Sequence, residues 1–301
     1  MNSTNENDVS QNAIEFRHVS VSFDDNPALV DVSFQLARGE MIFITGESGS
    51  GKSVLLHVAM GLLKPDAGQV FIAGREIETL TESELLAIRG GLMGMVFQED
   101  SLFTGLSVYE NAAYRLNEHG WTEVQIDAAV TEVLRFVGLD DEKEKLPDAL
   151  SGGMKRRLEI ARALIGWPSI MLFDEPTMSL DPIVAAQVLD LIIRARDLQN
   201  ISSLYVTKKL YEIPYLTNYV ASNDENGRVI VRDAPLDRLP KTSIMVLESG
   251  RVVFAGSLSE FEACDLPAVK DLLSLDRVDH STHPYFADPW DKTRLAREKI
   301  L

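Results

Sequence analysis

Residues 46–53 leave this 301-residue chain few folds to adopt, because they match the pattern G-x-x-x-x-G-K-[ST]. An apolar run at residues 40–45 predicts a strand before them, and helical apolar spacing follows over residues 52–63. In this context glycines let main-chain N–H groups turn inward around phosphates, and the helix points its positive end at them. The sequence therefore predicts a nucleoside triphosphate cradle, with a glycine-rich turn that binds nothing as the weaker alternative. The cradle residues are Gly46, Glu47, Ser48, Gly49, Ser50, Gly51, Lys52 and Ser53.

Two adjacent carboxylates end a second apolar run, at residues 170–173. Asp174, at the tip of a predicted buried strand, is expected to hold Mg²⁺ together with the hydroxyl of Ser53. Lys52 is expected to reach the β- and γ-phosphates. Glu175 can polarise the water that attacks the γ-phosphate. A pair of solvated acids after a strand is the alternative, and it is weak beside an intact cradle.

A second glycine-containing stretch, Leu-Ser-Gly-Gly-Met at residues 150–154, precedes a basic helix with apolar spacing. Ser151 and the amides of Gly152 and Gly153 would lie at the helix N-terminus, where they can meet a phosphate. The stretch resembles the signature of ABC ATPases, with methionine where glutamine is more usual. The resemblance implies a head-to-tail homodimer that holds two ATP molecules, each signature meeting the γ-phosphate on the other copy. An N-capped helix without a ligand is the alternative.

Three further positions resemble landmarks of the same family. Gln98 resembles the glutamine that touches Mg²⁺ and senses the membrane partner. Asp181, in Ser-Leu-Asp at residues 179–181, resembles the loop that crosses the dimer interface. Phe23 lies where the family places an aromatic residue against adenine, although a strand phenylalanine facing the core has the same appearance in sequence.

Lys208 departs from the family pattern. It takes the place of a histidine that contacts the γ-phosphate in most members. A lysine can reach a phosphate as a point charge, but it cannot exchange a proton near neutral pH as histidine does. Either Lys208 replaces the contact and hydrolysis continues with Glu175 as the catalytic residue, or the site binds ATP and turns it over slowly. We expect retained hydrolysis, since the rest of the phosphate machinery is intact.

The resemblance implies an α/β fold: a P-loop NTPase (RecA-like) core with an antiparallel β subdomain and an inserted α-helical subdomain. The alternation of predicted strands and helices agrees with an α/β core. The middle of the chain, residues 81–166, is predicted to be helix-rich, and residues 223–242 a polar excursion on the surface. We expect a flexible N-terminus at residues 1–13, the ABC ATPase domain at 14–263 with its helical subdomain at about 99–166, and a dimer- or partner-docking tail at 264–301.

Composition restricts the possible partners. The formal net charge of −17 argues against a general nucleic-acid binder, because phosphate backbones favour a basic surface. Cys264 is the single cysteine, so no disulfide framework exists within the chain, as suits a reducing compartment. No window approaches the roughly 18 apolar residues of a membrane span, and the polar N-terminus is unlike a signal peptide. We therefore expect a peripheral protein at the cytoplasmic face of the inner membrane, with a separate integral permease.

Several stretches resemble the ATPase of Mce-type lipid transport systems, and they occur at residues 93–98, 101–111, 154, 181–182 and 266–273. This resemblance implies phospholipid transport with an Mce-domain substrate-binding protein as a further partner. It also implies that Leu102, Phe103, Leu106 and Val108 line a groove for the permease, although each of them can equally be a core residue. Two alternatives stay open: the ATPase of another importer or exporter, and a regulatory ATP-binding module with little turnover.

Overall fold

The computed structural model describes residues 12–99, 101–118, 120–225, 228–235 and 239–279. Its strands are β1 (Asn12–Phe23), β2 (Asn26–Ala37), β3 (Met41–Thr45), β4 (Ala67–Ile72), β5 (Arg75–Glu76), β6 (Met93–Val96), β7 (Ile170–Asp174), β8 (Ser202–Val206), β9 (Tyr219–Asn223), β10 (Val229–Asp233), β11 (Thr242–Glu248) and β12 (Arg251–Gly256). Its α-helices are α1 (Lys52–Ala59), α2 (Glu82–Leu92), α3 (Val108–Glu118), α4 (Glu123–Val137), α5 (Gly152–Leu164), α6 (Pro182–Gln199), α7 (Glu212–Asn218), α8 (Leu258–Glu262) and α9 (Pro267–Asp279).

A six-stranded sheet in the order β12-β11-β3-β8-β7-β6 forms the centre of the molecule. Neighbouring strands from β11 to β6 are parallel, and only β12 pairs antiparallel. Every residue of β3, β7 and β8 is buried, as is typical of parallel strands covered on both faces. The carboxyl ends of these three strands lie side by side at one edge of the sheet, and the loops that follow them can share one site.

The two faces of the central sheet belong to two apolar clusters. Met41 and Phe43 pack with the side that carries α3 to α6, whereas Ile42 and Ile44 pack with β1, β2 and α1. Successive residues of a strand point to opposite faces, so the single run β3 contributes to both clusters. This burial on both sides anchors the loop that follows β3.

A separate antiparallel sheet has the order β2-β1-β4-β5, and β9 and β10 form a third, two-stranded sheet. β1 begins at Asn12, so the expected flexible N-terminus of residues 1–13 is wrong at its last two positions. The other residues of that segment, and residues 280–301 of the expected tail, lie outside the described residues. The predicted polar excursion at 223–242 includes β10, whose hydrogen bonds to β9 make this part a hairpin rather than an irregular loop.

The predicted helix-rich middle contains α2 to α5, together with one strand. Thr81 and Thr122 start α2 and α4 with reciprocal capping boxes, and Gly138 ends α4 in the left-handed conformation. β6 was not expected there; its four residues are all buried at the edge of the central sheet. α3, α4 and α5 pack on one another and form a helical layer within residues 108–164. Within the described part of the chain, no helix combines the length and apolar character that crossing a lipid bilayer requires.

Candidate active site

The loop of residues 46–53 joins β3 to α1 and adopts backbone conformations that only glycine accepts easily. Gly46 has φ of 141°, and a Cβ there would lie 2.1 Å from the carbonyl oxygen of Leu247. Gly51 has φ of 101°, and a Cβ there would lie 2.3 Å from the carbonyl oxygen of Ala28. Both glycines are therefore required by close main-chain contacts as well as by their φ angles. The predicted cradle is a formed structural element.

Lys52 occupies the interior of this loop. Its Nζ donates to the carbonyl oxygens of Gly46 (2.8 Å) and Glu47 (2.5 Å) and to Ser50 Oγ (3.1 Å). The residue is only 5% exposed. Burial, and next the nearby charge of Lys208, lower the pKa of Lys52 to about 8. An anion bound in the loop would restore the charged form of this lysine, which is what a phosphate ligand supplies.

Asp174 lies at the end of β7, near the Ser53 side chain. Asp174 is buried, and burial raises its pKa, while the nearby Ser53 hydroxyl lowers it. Among the described residues its Oδ1 has no hydrogen-bond partner, although the atom is buried. An orphaned buried carboxylate oxygen beside a hydroxyl suits a hard cation such as Mg²⁺. In the described part of the chain no three acidic, histidine or cysteine side chains gather around one point.

Glu175 and Lys208 are brought together, although they are 33 residues apart in sequence. Lys208 Nζ lies 2.8 Å from Glu175 Oε1. Glu175 follows Asp174 directly, in a left-handed conformation with φ of 46°, and its N–H donates to the carbonyl of Val206 at 3.0 Å. The main chain at the ends of β7 and β8 therefore determines where this carboxylate lies.

Gln98 follows β6, the strand that pairs with β7. Its Nε2 is 3.0 Å from the sulfur of Met178, in the segment after Glu175. The structure therefore places Gln98 beside the loop that carries Glu175. A role for Gln98 at Mg²⁺ remains a prediction from the family resemblance.

The signature residues begin α5. Ser151 is the N-cap, and its Oγ accepts a hydrogen bond from the N–H of Met154 at 3.3 Å. Ser151 and Gly152 are exposed, so their polar groups are accessible. Gly153 faces α6, where a Cβ would lie 2.5 Å from Val184. The local geometry is compatible with both interpretations, the capped helix and the phosphate site.

The structure places Asp181 at the start of α6 and Phe23 at the end of β1. Asp181 is the N-cap of α6, with Oδ1 accepting from the N–H groups of Ile183 and Val184, both at 3.1 Å. Its side chain thus has a structural role. Phe23 ends β1 with 49% of its surface exposed, which rules out the core interpretation. An exposed ring at this position is available for stacking.

Arg156 is a residue that the sequence analysis missed. It is buried on α5 and donates to the carbonyl oxygens of Pro176 (2.5 Å), Phe97 (2.7 Å) and Glu175 (3.0 Å), and to Glu159 Oε2 (2.6 Å). The guanidinium therefore connects α5 to the main chain of Glu175 and Pro176 and to the residue before Gln98. Arg156 and Glu159 are three positions apart on the apolar face of this basic helix, and that spacing could have predicted a buried ion pair.

Glu212 is a second missed residue. It is fully buried and accepts hydrogen bonds from the hydroxyls of Thr177, Tyr205 (2.8 Å) and Thr207 (2.7 Å). Burial raises the pKa of Glu212 above its usual range. The carboxyl group thus connects β8 to the segment after Glu175.

Comparison with known proteins adds an independent finding. The family profile described as ABC transporter matches residues 29–178. The protein TRIGALACTOSYLDIACYLGLYCEROL 3, chloroplastic, of Arabidopsis thaliana is 36% identical over 275 residues, covering 88% of this chain and 74% of that protein. The chain belongs to the ABC transporter ATPases. The methionine import ATP-binding protein MetN of Leifsonia xyli subsp. xyli is 40% identical over 220 residues, covering 72% of this chain and 64% of MetN.

Solved structures of ABC ATPases confirm the predicted fold. The structure of cbiO1 from Clostridium perfringens, part of the ABC transporter complex cbiONQ, superposes with a TM-score of 0.70 at 25% identity, covering 90% of this chain and 99% of that chain. The dimeric ATP-binding cassette MJ0796 with ADP and Pi gives 0.67 at 26% identity, with 81% and 98% covered.

The alignment covers only part of the MetN relatives. This ABC ATPase chain spans 64% of the length of MetN from Leifsonia xyli and 60% of that from Carboxydothermus hydrogenoformans. The rest of each of those relatives therefore lies outside the alignment with this chain.

Proposed function

We propose that this chain binds and hydrolyses ATP and uses the reaction to drive transport through a separate permease. The observation that carries the proposal is the convergence at one sheet edge of Lys52, Asp174 and Glu175. Lys52 is a buried cation inside the loop, Asp174 a buried carboxylate whose Oδ1 has no hydrogen-bond partner among the described residues, and Glu175 a partly buried carboxylate beside Lys208. Phosphoryl transfer from ATP needs such charges in fixed positions, because catalysis is mostly positioning and electrostatic stabilisation.

Different residues would bind the phosphates, hold Mg²⁺ and activate the attacking water. Lys52 and the amides of the cradle would bind the β- and γ-phosphates, and Ser53 and Asp174 would hold Mg²⁺. Magnesium, when bound, supplies neutralisation of the charge that develops on the phosphates. Glu175 would orient the attacking water and accept its proton.

A homodimer would complete each site. Ser151 and Gly152 are exposed at the N-terminus of α5, so a second copy can bring them to a bound γ-phosphate. The similar cassette MJ0796 is described as dimeric. Asp181 and Gln98 are proposed to act near this interface and near the metal, as the family resemblance implies.

For the cargo we propose phospholipid or a related lipid, with an Mce-domain protein as a further partner and the chain held at the cytoplasmic face of the inner membrane by its permease. The support is the set of Mce-type stretches, among them residues 93–98 and 101–111. A second support is the Arabidopsis relative, which carries the name of a glycolipid and aligns with 88% of this chain.

Methionine import is the second candidate. Relatives in Leifsonia xyli and Carboxydothermus hydrogenoformans carry this name at 40% identity, and one in Listeria monocytogenes at 36% identity aligns with 86% of this chain. The ATP chemistry is the same in both proposals. Only the permease and the cargo differ.

Affinity isolation of the full chain from detergent-solubilised native membranes, followed by mass spectrometry of proteins and lipids, tests the cargo. A permease recovered with an Mce-domain protein and phospholipid supports lipid transport. A permease recovered with a methionine-binding protein supports methionine import. Phosphate release from that isolated complex, compared with a Glu175→Gln complex, tests hydrolysis; equal rates would favour the regulatory module instead.

A further inference from the structure

The ion pair between Glu175 and Lys208 has a feature that hydrolysis alone does not explain. The Glu175 side chain is 12% exposed and the Lys208 side chain 40% exposed, with Nζ and Oε1 separated by 2.8 Å. The pair therefore lies at the mouth of the cradle, with the lysine on the solvent side and the carboxylate inside. A partly buried carboxylate at this place has lost solvent, and the lysine is a close compensating charge.

The main chain on both sides of the pair is held independently of the pair. Glu175 donates its N–H to Val206, and its carbonyl oxygen accepts from Arg156. The N–H of Lys209, the residue after Lys208, donates to Thr207 Oγ1 at 3.0 Å. These bonds place the two Cα atoms, so removal of the Lys208 side chain would release the Glu175 carboxylate without unfolding the loop.

The charges around the pair make it relevant to nucleotide binding. The charges of Lys208, Glu175 and Asp174 all shift the pKa of Lys52, so the four groups lie close enough to interact electrostatically. Glu175 is paired with the ammonium of Lys208, and Asp174 lies near the hydroxyl of Ser53. A γ-phosphate entering this group brings further negative charge, which a bare Glu175 carboxylate would repel.

We propose that Lys208 is the counter-ion of Glu175: it positions the carboxylate over the cradle and cancels its charge while the triphosphate binds. The inference rests on the proposed ATP hydrolysis at this site and names Lys208 as a positioning residue. A neutral imidazole at the same place would not cancel that charge. The lysine acts on ATP through Glu175 and without contacting the phosphate itself.

Nucleotide affinity in a double-mutant cycle tests this role. The full chain is titrated with the non-hydrolysable analogue AMP-PNP and with ADP, in the parent and in the variants K208M, E175Q and K208M/E175Q. K208M is expected to weaken AMP-PNP binding about tenfold, as loss of about 1.4 kcal/mol gives. ADP binding is expected to change less than about threefold, because ADP lacks the γ-phosphate. E175Q is expected to restore AMP-PNP binding in the K208M background.

Each outcome decides the proposal. If the double variant binds AMP-PNP as weakly as K208M, Lys208 contacts the phosphate directly and the counter-ion role is wrong. If K208M binds as the parent does, the pair has no part in nucleotide binding and the proposal is likewise overturned. If the parent chain itself binds no AMP-PNP, the proposed ATPase function fails before the question of Lys208 arises.

Steady-state phosphate release adds a second readout. K208M is expected to lower kcat at least tenfold, because the released carboxylate no longer holds the attacking water, and K208R is expected to stay within about threefold of the parent. Lys145, another lysine in a carboxylate pair, supplies the matched control K145M, since its partner Glu142 lies outside the cradle. K145M is expected to match the parent in both assays. A kcat for K208R as low as that for K208M would contradict the role of the charge.

Discussion

Replacement of Arg156 by methionine removes the guanidinium that joins the signature helix to the catalytic loop. The side chain makes four hydrogen bonds at 2.5–3.0 Å, and it is 7% exposed while its partner Glu159 is 1% exposed. Removing one member of a buried ion pair costs about 3–5 kcal/mol, since the other charge remains buried without its partner. In R156M the Glu159 carboxylate keeps the N–H of Ser101, at 2.8 Å. We therefore expect about 3–5 kcal/mol of lost stability.

Thermal unfolding of the nucleotide-free chain measures this loss. In a domain of this size each kcal/mol shifts Tm by about 2–4 °C, so R156M is expected to unfold about 6–20 °C below the parent. The double variant R156M/E159M removes both charges and is expected to recover part of that loss. The recovery is incomplete because the carbonyl oxygens of Phe97, Glu175 and Pro176 lose their donor in both variants.

The exposed pair of Arg75 and Glu84 supplies the control. Its side chains are 48% and 46% exposed, and such surface pairs contribute little. R75M is expected to shift Tm by no more than about 3 °C. The reasoning is refuted if R156M unfolds within this margin of R75M, or if the double variant is less stable than R156M alone.

Three further predictions use matched pairs or a matched pH series. Gly51→Ala is expected to destabilise the nucleotide-free chain by at least about 2 kcal/mol more than Gly49→Ala, because both positions have positive φ but only the first would bring a Cβ against a main-chain oxygen; equal urea midpoints would contradict this. Ser151→Ala and Thr122→Ala each remove an N-cap worth about 1 kcal/mol, and only the first is expected to abolish ATP-dependent dimerisation in light scattering; equal loss of dimer in both would argue against the signature role. Burial raises the pKa of Glu212, so the stability tied to its proton is complete below its ordinary 4.5 and is lost as pH rises through the folded-state pKa. E212Q, which cannot ionise, is therefore expected to gain stability relative to the parent as pH rises, and urea midpoints that keep a constant difference across the pH series would contradict it.

The cradle could be predicted from sequence because its residues form one short motif. Gly46, Gly51 and Lys52 lie within seven residues, and the motif marks both glycines even though the main-chain oxygens that exclude a Cβ there come from other segments. The same holds for Ser151, whose capping role follows from the start of the next helix. Such short-range patterns determine the backbone before tertiary packing contributes.

Short sequence patterns did not predict the strands β6 and β10. β6 has four residues, and its helix-rich neighbourhood outweighed a run too short to show a strand period. Its identity depends on pairing with β7, which lies more than 70 residues further along the chain. β10 begins with three β-branched apolar residues, but three of its five residues are exposed, and its hydrogen bonds to β9 define it as a strand.

Arg156 escaped prediction for a related reason, since its partners lie in three different segments. A charged residue in a basic helix appears solvated until the fold places Phe97 and Pro176 above it. Phe23 illustrates the opposite case: the sequence allowed both a core and an exposed ring, and the end of β1 decides for exposure.

The role of Lys208 depends both on its place in the sequence and on the contact that the fold gives it. From sequence, a lysine in place of histidine allowed either a substitute phosphate contact or slow turnover. The structure adds that its ammonium is already committed to Glu175, at 2.8 Å. An ammonium paired in this way would stabilise the Glu175 carboxylate beside a polyanion. Hydrolysis would then not depend on a proton at position 208, so a chain that lacks the histidine need not lack turnover.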